Sequence, residues 1–349
     1  MPVARTWWWW GLALLAAALY AMWSVYGRAR LEWRDTRQLV VSLPYGNGVH
    51  DVGRWVGVDG RRYGPLSFAV GGGQVAIADT YHERVLWHPL ERAGAPWTTR
   101  SVPESMLSSI AWDSTRRGWL VADDRAHQLW VVREAGATPG IRLAAVPGTT
   151  LAWQQLMVSP TAVYVAWTAV GAGQFRTALA RYRANGRAQL VAAWGQTQLG
   201  EWHPAGRTLI RVAATSYMLG EGGRIYAESP TSQPGTVALW EFSATGQPLA
   251  EWRVRLPGGV LASRLVGAAQ GQVYLGVNLG IAGEWARIYA AAPREPVQLR
   301  LTLPPPRELL HTYVRVGAHG TLYWAISTAR DYQIWAGSRR QVSTGGLHL

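Results

Sequence analysis

Short apolar runs, paired across tight glycine or polar turns, recur along the chain from residue 64 onward. Leu66–Val70 is followed by Gly71–Gln74 and Val75–Ala78, and Ser109–Trp112 by a turn at Arg117–Gly118 and Trp119–Ala122. Leu156–Val158 turns at Ser159–Pro160 into Val163–Ala166, and Tyr217–Leu219 turns at Gly220–Gly223 into Ile225–Glu228. The last two pairs are Leu265–Val266 with Val273–Gly276, and Tyr313–Val316 with Leu322–Ala325. Runs this short, bounded by Gly, Pro and polar clusters, read as β-strands rather than helices. Third runs follow each pair, for example Arg84–Trp87, Gln128–Val131, Arg287–Ala290 and Gln333–Ala336. Fourth runs end in an apolar residue and proline, as at Val102-Pro103, Val146-Pro147, Leu256-Pro257 and Leu303-Pro304.

The spacing of these units decides the fold. Equivalent positions Ala78, Ala122, Ala166, Glu228, Gly276 and Ala325 lie 44, 44, 62, 48 and 49 residues apart. A four-stranded propeller blade takes about 40–50 residues, so the chain predicts an all-β, six-bladed β-propeller with one insertion around Gly195–Arg211 and the loop after Glu228. A β-sandwich is the alternative, but it does not account for the period. Upstream of the first unit, Gln38-Leu-Val-Val-Ser-Leu-Pro44 repeats the type of Gln298-Leu-Arg-Leu-Thr-Leu-Pro304, an outer fourth strand. Its position at the amino end suggests that it closes the ring against the last blade and leaves no open edge. Arg340–Thr344 is the rival for that place.

The propeller is read as residues 38–349, after a linker at 28–37 and an apolar segment at 1–27. Trp7–Tyr26 is almost wholly apolar, and Thr6–Gly27 carries no charge. About 20 such residues, at roughly 1.5 Å rise each, span a bilayer core of about 30 Å as a transmembrane helix. Trp7–Trp10 and Tyr20, Trp23 and Tyr26 stand where interfacial aromatic belts lie. Ala16-Ala17-Ala18 offers a signal-cleavage site, but the apolar run continues past it, which favours an uncleaved signal-anchor. Arg28, Arg30, Arg34 and Arg37 follow the span while Arg5 precedes it, and the positive-inside rule would then hold the propeller in the cytoplasm. Long domains translocate regardless of flanking charge, and the expectation here is a single-pass membrane protein with an extracytoplasmic propeller.

Composition narrows the chemistry. There is no cysteine, which removes disulfides, thiol catalysis and Cys-bound zinc. The 21 Trp and 14 Tyr supply large buried areas and argue against disorder. The net charge is +13, carried without lysine by arginines scattered singly, a balance that favours anionic partners such as head groups or envelope polymers. No basic run of the nucleic-acid-binding kind occurs, and no nucleic-acid partner is expected.

One family resemblance rests on named residues. Gly64-Pro65 through Val70, then Gly73, Val75, Ala78-Asp79-Thr80, His82 and Arg84-Val85 resemble an NHL repeat, with a partial echo at Ala122-Asp123 and His127. The resemblance implies a six-bladed propeller, a fold used mostly for binding and sometimes for catalysis.

Asp79 and Arg84 flank the connection between second and third strands, where an aspartate accepts turn N–H bonds and an arginine grips it bidentately. Asp123 is equivalent, and all three read as structural staples of their blades. The eight histidines show no i, i+4 pair of the zincin type, and no metal ligands are assigned. Lactonase-like propellers hold calcium near the axis by carboxylates and amides; Asp79, Asp123, Trp167, Ser229, Val277 and Ile326 make too apolar a ring to repeat that, so no cofactor is assigned, with calcium the one metal the analogy allows. No nucleophile elbow, P-loop or dinucleotide fingerprint is present. The loops joining one blade to the next share a face with those between second and third strands. On that face the long segments Tyr45–Tyr63, Trp167–Arg176, Trp194–Arg211 and Asn278–Glu284 bring Arg54, Trp55, Arg61, Arg62, Tyr63, Trp202, His203 and Trp285 to one surface. Arginine with exposed aromatics is the residue mix of binding hot spots. The preferred reading is a non-enzymatic binding or scaffold module for a protein or anionic envelope partner. An exported metal-dependent lactonase- or lyase-like enzyme and a structural subunit of an envelope assembly are the alternatives.

Overall fold

The structure, a computed structural model, describes residues 31–343 except 36, 58–59, 93, 144–149, 172–173, 184–187, 195–209, 211, 213, 257–261, 282–283, 304–311 and 338. The segment read as a membrane helix and most of the insertion at 195–211 lie outside the described residues. Among those described, no helix is long and apolar enough to cross a membrane.

Residues 37–337 form one compact unit, an all-β, six-bladed β-propeller. Blade 1 runs through Ser67–Gly71, Gln74–Asp79, Arg84–Pro89 and Thr98–Ser101, each strand antiparallel to the next. Blade 2 follows with Leu107–Asp113, Gly118–Asp123, Gln128–Arg133 and Gly136–Arg142, and blade 3 with Thr150–Ser159, Ala162–Gly171, Gln174–Tyr182 and Ala188–Trp194. Blade 4 comprises Ser216–Leu219, Ile225–Pro230, Thr236–Phe242 and Pro248–Arg255. Blade 5 comprises Ala262–Ala269, Gln272–Ile281, Glu284–Ala291 and Gln298–Leu303. Blade 6 takes Val314–Val316, Leu322–Ser327 and Asp331–Gly337 from the carboxyl end and Gln38–Pro44 as its outer strand. The first strand of each blade touches that of the next, and Val314–Val316 touches Ser67–Gly71, so these six strands surround a common axis.

The core lies between neighbouring sheets. Ala78, Val85 and Trp87 of blade 1 pack on Leu107, Ile110 and Trp119 of blade 2, while Phe68 and Ile77 share a cluster with Trp324, Tyr332 and Ile334 of blade 6. Each of the larger aliphatic and phenyl side chains among these, fully withdrawn from water, contributes about 1.5–3 kcal/mol. Inner strands of adjacent blades form no ladder, so buried hydroxyls bridge them. Ser109 Oγ accepts from Leu156 N at 3.0 Å, Ser216 Oγ accepts from Leu265 N at 2.9 Å, and Ser67 Oγ donates to Thr312 Oγ1 at 3.1 Å.

A second repeated device fixes the outer strands. Glu83, His127 and Gly235 each precede a third strand in the left-handed region, with φ of 50°, 48° and 70°. Their carbonyls accept from Val102, Leu143 and Leu256 at the ends of the fourth strands. Only the glycine adopts this conformation without strain.

Three departures from the sequence reading concern two element boundaries and one ion pair. Trp167–Arg176 and Asn278–Glu284 are largely strand rather than loop: Thr168 pairs with Thr177 and Gly171 with Gln174, and Ile281 pairs with Glu284. β-Branched and aromatic residues at Thr168, Val170 and Phe175 suit an extended hairpin. Arg84 grips Asp79 through one nitrogen, not two. Finally, Leu31–Asp35 in the expected linker is a strand, antiparallel to Arg339–Ser343, in a separate compact unit made of 1–36 and 338–349. Arg339–Ser343 is therefore not the edge of blade 6, where Gln38–Pro44 pairs with Asp331–Gly337.

Candidate functional site

The connection from the closing strand to blade 1 builds the loop face. Its root is the buried Val52, whose N–H donates to Pro44 O at 2.9 Å and which bridges to Tyr45. Beyond it, Trp55–Val56 and Arg62–Tyr63 form a two-stranded ribbon, closed by Gly57 N to Arg61 O at 2.8 Å. Cross-strand pairing sets Trp55 opposite Tyr63, and their rings stack with centroids 5.1 Å apart. Tyr81, from the turn between the second and third strands of blade 1, stacks on the same indole at 6.2 Å and is half-exposed. His82 meets the edge of Tyr81 at 5.1 Å. The close approach needs Gly53, since a Cβ there would lie 2.4 Å from Tyr81 Cβ.

Charge surrounds this ladder. Arg54, Arg61 and Arg62 are exposed. Arg54 lies over the Tyr45 ring at 4.9 Å and donates to Ala329 O at 3.2 Å, and Tyr45 reaches Ser327 Oγ at 2.9 Å. The residues Arg54, Trp55, Arg61, Arg62 and Tyr63 thus occupy one ribbon and its root. Trp202 and His203 lie outside the described residues. Trp285 stands in the third strand of blade 5, at the hairpin end. Tyr45 and Tyr81 are absent from the residues that the sequence reading brings to this face, and His82 enters it only as a residue of the NHL-like pattern. The rule that second-to-third turns share a face with interblade loops, applied to Tyr81, would have found two of them.

The carboxylates beneath this face are engaged. Buried Asp79 accepts from Gly53 N at 2.9 Å, His82 Nδ1 at 2.7 Å and Arg84 Nε at 3.0 Å. Arg84 also donates to the carbonyls of Gly48 and Asp51, so the group ties loop to blade. Asp123 accepts from Met106, Arg125 and Ala126 N–H and from Trp130 Nε1. Near the axis, Glu228 accepts from Ser216 Oγ at 2.8 Å and from Ser263 Oγ, and burial pushes its pKa up. Among the described residues no three His, Asp or Glu side chains converge to hold a metal ion.

No family model matches the chain, and no curated protein matches it. Solved structures are similar in fold. A luciferin-regenerating enzyme is 13% identical, with a TM-score of 0.46 over 76% of this chain and 89% of that one. A protein from Lactobacillus plantarum is 11% identical, with a TM-score of 0.45 over 88% of this chain and 94% of that one. The Myceliophteria thermophila Cps50 (Swd1) β-propeller domain is 11% identical, with a TM-score of 0.40 over 79% and 85%. The chain is a β-propeller. At these identities the likeness concerns the fold alone, and no activity transfers with it.

Proposed function

We propose that this propeller is a binding module whose loop face engages a protein or an anionic envelope polymer. One observation carries the reading: the Tyr63–Trp55–Tyr81 stack with Arg54, Arg61 and Arg62 exposed around it. Stacked rings present a stiff apolar surface at small entropic cost, and arginines beside them supply charge-assisted bonds to carboxylate or phosphate groups. The NHL-like pattern of blade 1 supports the same general role. The apolar Trp7–Tyr26 segment supports a membrane tether, and an extracytoplasmic propeller is part of the same proposal, since long domains translocate regardless of flanking charge.

Retention of the detergent-solubilised full chain on a polyglutamate column tests the face. The Arg54→Ser/Arg61→Ser/Arg62→Ser variant is expected to elute at clearly lower salt, because each lost cation contact weakens a screened attraction. A Trp55→Ala variant separates the aromatic contribution, using a negatively charged protein column alongside the polymer. Unchanged elution of the triple variant on both columns would reject this face.

A further inference from the structure

The axis carries a feature that the loop face does not use. Inner strands begin at the loop face and end at the opposite face, where each turns into its hairpin. Around their final residues a cavity of about 280 Å3, open to solvent, is bounded by all six blades. Val70, Trp112, Met157, Met218, Ala268 and Val316 form its wall, one residue from each blade. The lining residues include no Asp or Glu. A site of this volume stands at the small end of small-molecule pockets, which begin at roughly 300 Å3, and its lining mixes apolar side chains with Gln155, glycine backbone and Arg315.

Arg315 stands among these apolar side chains, with Gln155 also in the lining. Its Nε donates to Phe68 O at 3.0 Å and its Nη2 to Ile110 O at 3.1 Å, so the guanidinium from blade 6 crosses to the inner strands of blades 1 and 2. Both acceptors are neutral carbonyls, and its Nη1 makes no hydrogen bond among the described residues. A smaller cavity on the other side of Arg315 is lined by Arg264, whose guanidinium lies over the Tyr313 ring at 4.6 Å. Burial, with the repulsion of Arg264, lowers the Arg315 pKa to about 10. It stays charged at neutral pH, half-buried in the cavity wall and with no carboxylate beside it in the lining. Glu228, which feels Arg264, lies at the other end of the channel and does not line the cavity.

We infer that the axial cavity is a binding site for a small amphipathic monocarboxylate, its carboxylate on Arg315 and its hydrocarbon or aromatic body along the six-blade wall. The wall excludes a highly charged ligand, because a second anionic charge would have to be desolvated against methionine, valine and tryptophan. A neutral ligand would leave the guanidinium as uncompensated as before. An apolar carboxylate satisfies both, since it brings one charge to the cation and buries its body.

The test is isothermal titration of the purified full chain, at fixed maltoside detergent, with 4-phenylbutyrate, with 4-phenylbutanol as its neutral counterpart, and with acetate and inorganic phosphate as anions lacking the body. Phenylbutyrate is expected to bind roughly tenfold or more tighter than each of the others, the scale of one charge-assisted contact. Arg315→Met should remove that preference. Because Arg315 also joins three blades, Ala268→Phe provides a second variant that fills the cavity and leaves the guanidinium in place; it too should abolish binding. The site fails if phenylbutyrate and phenylbutanol bind equally, if phosphate or acetate binds as tightly, if no titrant binds, or if Ala268→Phe binds as the wild type does. None of these outcomes depends on the loop face, which lies at the other end of the axis.

Discussion

The backbone N–H of Gly53 donates to Oδ1 of Asp79 over 2.9 Å, joining the interblade loop to a blade turn 26 residues further on. The other carboxylate oxygen holds His82 and Arg84, and Arg84 returns to the loop through the Gly48 and Asp51 carbonyls. The staple is thus non-local: it positions the ribbon that carries Trp55. Removing Asp79 strands a mostly buried guanidinium and a buried N–H together.

Asp79→Ala should therefore destabilise the propeller by about 3 kcal/mol, the cost of breaking a buried pair from one side. Asp79→Asn, which keeps the acceptor for Gly53, should cost less. Thermal unfolding of both variants checks this, and equal melting of Asp79→Ala and wild type would remove the staple from the account of the loop face.

Gly53 permits the aromatic ladder through its missing Cβ. Gly53→Ala places a methyl 2.4 Å from Tyr81 Cβ, so the turn must shift and the Trp55–Tyr81 stack opens. The expected loss is about 1 kcal/mol or more. In a Tyr81→Gly background, where that Cβ is gone, the same substitution should cost clearly less. A double-mutant cycle by thermal melting reads the coupling. Additive effects would show that the two residues do not touch.

How far these features could be read from sequence depends on their locality. The six strand pairs were legible, because inner strands such as Leu107–Asp113 and Gly118–Asp123 are buried on both faces and declare themselves as apolar runs. The long hairpins of blades 3 and 5 look like loops in the sequence because Gly171 and Gly173 in one, and Gly280 and Gly283 in the other, resemble turn residues, while their partners are set by register. Asp79 announced its place but not its partner, since Gly53 reaches it from another connection. Arg315 was invisible as an axial residue. Within Val314–Val316 it reads as an ordinary solvent-facing position, and only the ring turns that side of the strand inward.

Asp124 makes stability depend on pH. Its carboxyl is held between Ser108 Oγ, at 2.6 Å, and the turn of blade 2, and burial raises its pKa from 3.8 to about 6, against the smaller lowering effects of Ser108 and His127. A folded pKa above the ordinary value means that the protonated carboxyl favours the fold fully below pH 3.8. That contribution is lost as pH rises through about 6. Asp124→Asn carries no charge and still accepts from Ser108. It should therefore gain about 1–2 kcal/mol over the wild type at pH 7.5, a discount on the full linkage for its partial exposure, and little at pH 4. Melting temperatures across that range decide it; a gain independent of pH would trace the effect to something other than ionisation.

The joint between the ends of the propeller chain is the last consequence. Gln38–Pro44 pairs with Asp331–Gly337, and its inward residues Val41 and Leu43 are 5% and 4% exposed, whereas Leu39 is 43% exposed. A register shift between Leu39 and Val41 turns Leu39 outward, and alternation from Val41 onward places Leu43 in the cluster with Phe68, Trp324 and Tyr332, so its side chain fills the last interblade space. Leu43→Ala should cost about 2–4 kcal/mol through the cavity it leaves, while Leu39→Ala should stay within about 0.5 kcal/mol. Deleting residues 1–44 goes further. It bares the edge of Asp331–Gly337, whose unpaired N–H and C=O groups template pairing with another chain. Size-exclusion chromatography of the deleted protein should show association where Leu43→Ala remains a destabilised form of the wild-type species. A deletion that eluted and melted like the full chain would mean that the ring holds without its amino-terminal strand.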